Sequence, residues 1–251
     1  MIRQISSRSN PRIKSLLAEK EDYFFFEGEK LVRDILRKKI PVHRLIINNT
    51  QESKLKIPPR QVEEVWLVNQ SILKKLSSLK EKSDFMAVVK YQPKKVHLEK
   101  ESLIIALDTV QDPSNAGTIF RCAAAFGIHS LLFSGDCVKI NNPKFIRAAQ
   151  ASLFEVNFHH FPDIHTLIKQ AQTHHIHVYL TASKTVSRNV NYSDIQPPAM
   201  IIFGNEGQGL PGDLFAQFPC LRIPHKNCVE SLNVGISACI IMNELKNKFN
   251  L

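Results

Sequence analysis

The chain has no hydrophobic run approaching the roughly 20 residues that cross a bilayer, so a helical membrane protein is not expected. It has no H-E-x-x-H and no Cys/His grouping at zinc spacing among its five cysteines and ten histidines, so no metal is expected either. No C-x-x-C pair occurs and the cysteine number is odd. Cys122, Cys137, Cys220, Cys228 and Cys239 are therefore expected as free thiols in a reducing, cytoplasmic setting. Gly204, Gly207 and Gly209 do not make a G-x-G-x-x-G, and no Gly-Lys-Ser/Thr follows them, which removes the dinucleotide fingerprint and the P-loop. Internal repeats and low-complexity tracts are missing. The first residues, Met1 to Arg8, lack the apolar centre of a secretion signal. They are rich in Arg and Ser with no acid before Glu19, which leaves two readings, an organelle transit peptide or a basic first helix of the folded protein.

What is present is ordinary in bulk and uneven in layout. Hydrophobic residues make up 43% and charged residues 22% of 251, the balance of a soluble globular protein with one large domain or two modest ones. Residues 1–100 hold 22 Lys and Arg against 12 Asp and Glu, whereas residues 101–251 hold 11 of each. The entire formal excess of +10 therefore lies in the first hundred residues. Such asymmetry suits a region that meets a polyanion. The alternative is a solvated basic face that serves solubility alone.

The first part of the chain reads as a small α/β unit, residues 1–92. Asn10-Pro11 opens a helix with a cap residue and a first-turn proline. Residues 27–39 set Leu31, Ile35 and Leu36 on one helical face, and a short helix is expected over 71–79. Strand patterns fall at 44–47, 65–68 and 85–89. Residues 93–101, with Pro93 and the pair Lys94-Lys95, read as a linker. From 102 to 251, strands at 103–107, 131–133, 177–181, 200–203 and 220–223 alternate with helices at 115–126, 143–154, 164–174 and 231–248. Strands apolar on both faces argue for a mostly parallel sheet covered on both sides, an α/β fold. Ligands of such sheets gather at the carboxyl ends of the strands.

Three polar blocks begin at such ends. The first runs from Asp112 to Arg121, with Asn115 at a helix start whose free N–H groups suit an anion. Arg121 lies further in, before Ala123-Ala124-Ala125, where an unpaired guanidinium is costly; the alternatives are a functional cation or a structural ion pair with Glu206. The second block, Phe203 to Leu210, holds three glycines, which permit positive φ and close backbone approach, together with Glu206. The third is Ile223-Pro224-His225-Lys226-Asn227-Cys228-Val229-Glu230-Ser231-Leu232-Asn233-Val234. Ser231 alone reads as a helix cap; Asn233 is less readily explained that way.

In order and spacing these blocks resemble the three motifs of the SpoU-type, or TrmH-like, RNA ribose 2′-O-methyltransferases of the SPOUT superfamily, over about residues 103–245. Ser9-Asn10-Pro11-Arg12-Ile13-Lys14 and Phe26-Glu27-Gly28-Glu29-Lys30 resemble the substrate-binding domain of many members, similar to a ribosomal-protein RNA-binding fold. The resemblance begins almost at Met1 and so speaks against a transit peptide. It implies a C-terminal α/β trefoil-knot domain after a small N-terminal α/β RNA-binding domain, and work as a homodimer. S-adenosylmethionine would sit near Leu180, Thr181, Gly204, Gly207, Ile223 and Leu232. Asn115, Arg121, Glu206, Ser231 and Asn233 match the family's polar site positions. Arg8, Arg12, Lys14, Lys30 and Arg33 are the candidate RNA contacts. His225 departs from the family's usual methionine. The expected activity is methyl transfer to a ribose 2′-hydroxyl of RNA, with large-subunit rRNA favoured over tRNA. The alternatives are an RNA-binding module without catalysis and a base methyltransferase on the same fold.

Overall fold

The computed structural model describes every residue except 59, 79–82, 91–95, 185–187, 227 and 250. The pair Lys94-Lys95 and the start of the expected linker lie outside the described residues. Contacts divide the chain into two compact units, residues 1–92 with 141–151, and residues 93–140 with 152–251.

The first unit contains β1 (Ile2–Ile5), α1 (Pro11–Ala18), β2 (Phe24–Glu27), α2 (Glu29–Arg37), β3 (Val42–Asn48), β4 (Val62–Val68), α3 (Gln70–Leu76) and β5 (Phe85–Val89). Its sheet has the order β1-β4-β3-β5-β2. The first three of these strands run parallel, while β5 and β2 are antiparallel to their neighbours. The Asn10 side chain accepts from the Arg12 N–H at 2.9 Å and Pro11 follows, which fixes the start of α1 as the sequence suggests. Gly28, at φ +105, turns the chain from β2 into α2; the helix expected from residue 27 therefore starts at Glu29. Ile13 and Leu16 of α1 and Ile72, Leu73 and Leu76 of α3 pack on Ile46, Trp66, Val68, Met86 and Val88. Strand alternation sends Leu45, Ile47 and Ala87 to the other face, where α2 packs on β2 and β5.

Two strands escaped the sequence pattern. Ile2-Arg3-Gln4-Ile5 has only Ile5 buried, yet it pairs in parallel with Val65 to Val68. The basic start is thus an edge strand of the folded unit, not a helix. Phe24-Phe25-Phe26 lacks the alternation of a half-exposed strand because all three rings are buried.

The second unit runs β6 (Leu103–Asp108), α4 (Pro113–Ala125), β7 (Ser130–Ser134), then, after the intervening α5 (Pro143–Ala149), β8 (Asn157–Phe161), α6 (Ile164–Thr173), β9 (His177–Thr181), β10 (Asn189–Val190), β11 (Ala199–Phe203), α7 (Leu214–Gln217), β12 (Cys220–Leu221) and α8 (Val234–Phe249). Its seven strands have the order β10-β12-β9-β11-β6-β7-β8 and are all parallel. Every residue of β6, β7 and β11 is buried, as a sheet covered on both faces requires. The polar run Asn157-Phe158-His159-His160-Phe161 hid β8, an edge strand that is half-exposed. The helix expected over 143–154 stops at Ala149, where Gln150 takes φ +55. That helix, α5, belongs to the first unit, where it packs on β2.

Helices α4 and α8 lie against each other. Cys122 on α4 and Cys239 on α8 are joined by a disulfide, 117 positions apart in sequence and 5.8 Å apart at Cα. This corrects the expectation of five free thiols; no spacing rule could pair residues that only the fold brings together. No helix of the described residues is long and apolar enough to cross a membrane.

Candidate methyl-donor and RNA site

The three polar blocks meet at the carboxyl ends of β6, β11 and β12, within the second unit. Asp112 caps α4, its carboxylate accepting from the N–H groups of Ser114 and Asn115 at 2.8 Å each. The helix start is therefore already satisfied by its own carboxylate and does not offer those two donors to an outside anion. The Glu206 carboxylate accepts from the backbone N–H of Gln111 at 3.4 Å, that of Asp112 at 3.2 Å and the Asn115 amide at 3.0 Å. The Asn115 carbonyl in turn accepts from the Asn233 amide at 2.9 Å. One asparagine thus joins all three blocks.

Asn233 also caps α8: its carbonyl accepts from Gly235 N–H at 2.9 Å and Ile236 N–H at 3.2 Å. The cap expected at Ser231 is two residues further on, and the helix begins at Val234. Asparagine is as good a cap as serine, and here it does two jobs with one amide.

A cavity of about 640 Å³ opens beside this chain of hydrogen bonds, within the roughly 300–1,000 Å³ of small-molecule sites. Thr181, Gly204, Gly207, Ile223 and Leu232 line it, as do Glu206, Ser231 and Asn233. Leu180 does not; it is fully buried in the hydrophobic core beneath. The Thr181 hydroxyl donates to the Ile202 carbonyl at 2.9 Å, tying the β9 edge to β11. Of the glycines in the second block, two are conformationally required. A Cβ on Gly204 would stand 2.5 Å from the Gly209 carbonyl carbon, and Gly209 has φ +73, a combination that other residues meet only with strain.

Sequence reasoning missed Asn205. Its amide donates to the Thr109 carbonyl at 2.9 Å, and its side-chain oxygen accepts from Gly207 and Gln208 N–H groups at 2.9 and 3.0 Å. An Asn within a glycine-rich turn is the signal that could have marked it, since Asn closes such turns through its own backbone. Lys184, His225 and Glu230 also line the cavity, and a ring nitrogen of His225, Nδ1, sits 2.9 Å from the Ile223 carbonyl. Behind the first block, Asp108 is buried and accepts from the Ser134 hydroxyl at 2.7 Å. Burial raises its carboxyl above the usual carboxylate range despite that bond.

Arg121 departs from expectation. It is exposed on α4, does not line the cavity, and has no ion pair among the described residues. Glu206 is engaged with Asn115 and the backbone instead. The physical reason is helical phase: Ala116, Ile119, Phe120 and Ala123 take the buried face, which leaves Thr118, Arg121 and Ala125 outward. Beside them on α8, Ile236 and Ile240 are exposed at 55% and 36%.

The five candidate RNA contacts are divided. Arg8, Arg12 and Lys14 belong to the α1 side of the first unit, Lys30 and Arg33 to the α2 side. Arg12 stands 3.8 Å from Glu64, and Arg33 pairs with Glu29 at 2.7 Å. Arg8, Lys14 and Lys30 make no ion pair among the described residues. Among those residues no group of three or more His, Cys, Asp or Glu is placed to hold a metal ion.

Comparison with known proteins bears on this site directly. The model of the SpoU rRNA Methylase family matches residues 102–243. The chain is 30% identical over 145 residues to an uncharacterized tRNA/rRNA methyltransferase of Synechocystis sp., covering 57% of this chain and 53% of that one, so it spans about half of that relative's length. It is 25% identical to the 23S rRNA (guanosine(2553)-2′-O)-methyltransferase RlmP of Bacillus subtilis, over 98% of this chain and 100% of RlmP. In fold it is similar to the AdoMet-bound rRNA methyltransferase from Sinorhizobium meliloti, with TM-score 0.81, 23% identity and 98% of each chain covered. The matched segment contains all three blocks, the Asn115 junction and the whole parallel sheet, and on that ground the chain belongs to the SpoU rRNA Methylase family.

Proposed function

We propose that the protein transfers the methyl group of S-adenosylmethionine to a ribose 2′-hydroxyl of RNA, with large-subunit rRNA as the favoured substrate. The observation that carries this reading is the hydrogen-bonded chain Glu206–Asn115–Asn233 along a donor-sized cavity, inside the family-matched segment. The rRNA preference draws on the relation to RlmP, which extends through the basic first unit.

The cavity suits the donor chemically. Its floor is apolar through Phe203, Leu210 and Leu221, and its rim is polar through Thr181, Glu206, Ser231 and Asn233. The turn at 204–209, residues 223 and 225, and residues 230–232 border it. When bound, the donor supplies an electrophilic methyl on a sulfonium. The protein supplies alignment and charge. Asn115 and Glu206 hold the three loops in register. Asn233 seats the start of α8, and Ser231, exposed on the cavity with no hydrogen bond among the described residues, offers its hydroxyl to the RNA. Arg121 binds the target phosphate and lowers the cost of negative charge developing on the ribose oxygen.

Arg121 is exposed and does not line its own cavity, so it serves through a second copy of the chain. The stripe Thr118, Arg121, Ala125, Ile236 and Ile240 forms the homodimer face and delivers Arg121 to the partner copy's site. The tail passes through the loop region as a trefoil knot, a reading supported by residues 204–210 and 230–234 lining one cavity while α8 returns to α4. The first unit grips RNA phosphates and shape. The setting is the cytoplasm.

The test is methyl transfer from labelled S-adenosylmethionine to total RNA, followed by nuclease digestion and mapping of 2′-O-methyl positions in rRNA and tRNA with and without the gene. Ribose-methylated rRNA is expected. Base methylation would sink the reading, and wild-type activity no greater than that of Arg121→Ala would favour an RNA-binding module.

A further inference from the structure

Four of the five cysteines fall into two groups by what surrounds their sulfurs, and Cys228 is exposed. Cys137 stands 3.2 and 3.3 Å from the carbonyls of Leu107 and Ser134, and burial pushes its thiol up to about 11. Cys220 is fully buried and is pushed upward by the same cause. Neither offers a thiolate at neutral pH. Cys122 and Cys239 are only partly buried. They sit on adjoining helices with Cα atoms 5.8 Å apart and their sulfurs bonded, a separation that a disulfide spans without moving the backbone.

The location of the pair matters more than its existence. Cys122 lies about two helical turns beyond Asn115 on α4, and Cys239 lies a similar distance beyond Asn233 on α8. The same two helices are joined at their N-terminal ends by the Asn233–Asn115 hydrogen bond. Val234, Ser237 and Ile241 of α8 form one wall of the cavity, while Cys239 meets α4. A bond at Cys122–Cys239 therefore fixes the helix that carries the wall to the helix that carries the junction.

We propose that Cys122 and Cys239 form a reversible oxidation site for low-molecular-weight disulfides, which sets the affinity of the donor cavity. This rests on the donor-binding reading above. The thiolate of one cysteine attacks a sulfur of the oxidant RSSR, forming a mixed disulfide and releasing one RS⁻. The second cysteine's thiolate then attacks the protein sulfur and releases the other RS⁻. The cysteines give up two electrons and two protons, and the oxidant leaves as two RSH. Excess thiol reverses both steps. In reducing compartments disulfides in such a role are transient and redox-sensing. Linked, α8 is prevented from sliding along α4, and Asn233 stays seated on Asn115. Reduced, the two helices keep only the Asn233–Asn115 hydrogen bond and their packing against each other.

The experiment uses the full chain with the exposed Cys228 replaced (Cys228→Ser), equilibrated in buffers of varied oxidised-to-reduced glutathione ratio. Alkylation and intact mass read the linked fraction, and calorimetry with S-adenosylmethionine reads the donor affinity. A linked form lacking two hydrogens is expected at the oxidising end and a free dithiol at the reducing end, with donor bound about fivefold more tightly by the linked form, at the low end of site-to-site couplings. By reciprocity, saturating donor moves the midpoint of linkage toward reducing buffers by the same factor. Cys122→Ser with Cys239→Ser removes both effects, though the titration of the otherwise native pair decides the matter without it. No linked form at any ratio, or equal donor affinity in the linked and reduced forms, overturns the proposal. Failure of both forms to bind donor overturns the donor-binding reading itself, a result distinct from equal binding.

Discussion

In the first unit one of five strands, β5, runs against the others, while in the second all seven run one way. The parallel sheet sends the exits of β6, β9, β11 and β12 to a single edge, where the segments after β9, β11 and β12 line one cavity and the turn after β6 hydrogen-bonds to Glu206 beside it. The mixed sheet sends its turns to both edges, and its basic side chains are spread over both helical layers. Net charge follows the same division, since the whole excess of +10 lies in residues 1–100. One unit concentrates chemistry at a point and the other spreads attraction over a surface. Substitutions in the two should therefore fail in different ways: those in the second unit in turnover or donor uptake, those in the first in RNA affinity and its salt response.

The largest effect is expected at Arg121. Arg121→Ala should lower kcat by about 10²-fold, the usual loss when one stabiliser of developing charge is removed, with the donor Kd unchanged. A matching loss of donor affinity would show that Arg121 acts on the cavity of its own copy. Next is Gly204→Ala, whose Cβ would stand 2.5 Å from the Gly209 carbonyl carbon. Overpacking of this kind costs about 1–3 kcal/mol, and it should weaken donor binding about tenfold by calorimetry. A milder loss is expected on the other side of the comparison. Arg8→Glu with Lys14→Glu should raise KM for RNA several-fold and leave kcat intact. The dependence of log K on log salt should flatten by roughly one unit for each phosphate that the variant no longer neutralises. Lys30→Glu should do the same only if the α2 side also meets RNA, which the salt slope will decide.

The smallest effect concerns stability. Burial raises the Asp108 carboxyl above its unfolded value. A raised carboxyl favours the folded state fully only below the unfolded carboxylate range, and that contribution is lost as pH climbs through the raised value. Asp108→Asn should therefore have a higher Tm than wild type at pH 7, with the gap closing as the pH falls into the carboxylate range. A gap independent of pH would mean that the carboxyl titrates alike in the folded and unfolded chains.

Much of the second unit was legible because its strands are apolar without interruption and each ends in a block of unusual polarity. Asn115, Glu206 and Asn233 could be named from that pattern, and the structure joins them. Their partners could not be named, because hydrogen bonds across 91 and 118 positions leave no local trace. Arg121 was misplaced through reasoning about cost: an arginine amid alanines suggested burial, but the outward phase of α4 removes the cost. The disulfide was hidden for the same reason as the hydrogen bonds, since Cys122 and Cys239 meet only when α8 returns to α4. Strands β1 and β8 were missed because edge strands need only one dry face, and Arg3, Gln4, His159 and His160 dilute the alternation. Leu180 was assigned to the donor from resemblance alone, and packing claims it for the core.

The Asn115 amide touches two segments far after it in the chain, and the last of these to leave a ribosome is Asn233. While synthesis is unfinished, the first block can fold against β6 but finds neither Glu206 nor Asn233 to grip. A growing chain thus has no closed junction until Asn233 has emerged. A chain that stops before Asn233 then lacks the junction's last partner, however well its earlier strands pair.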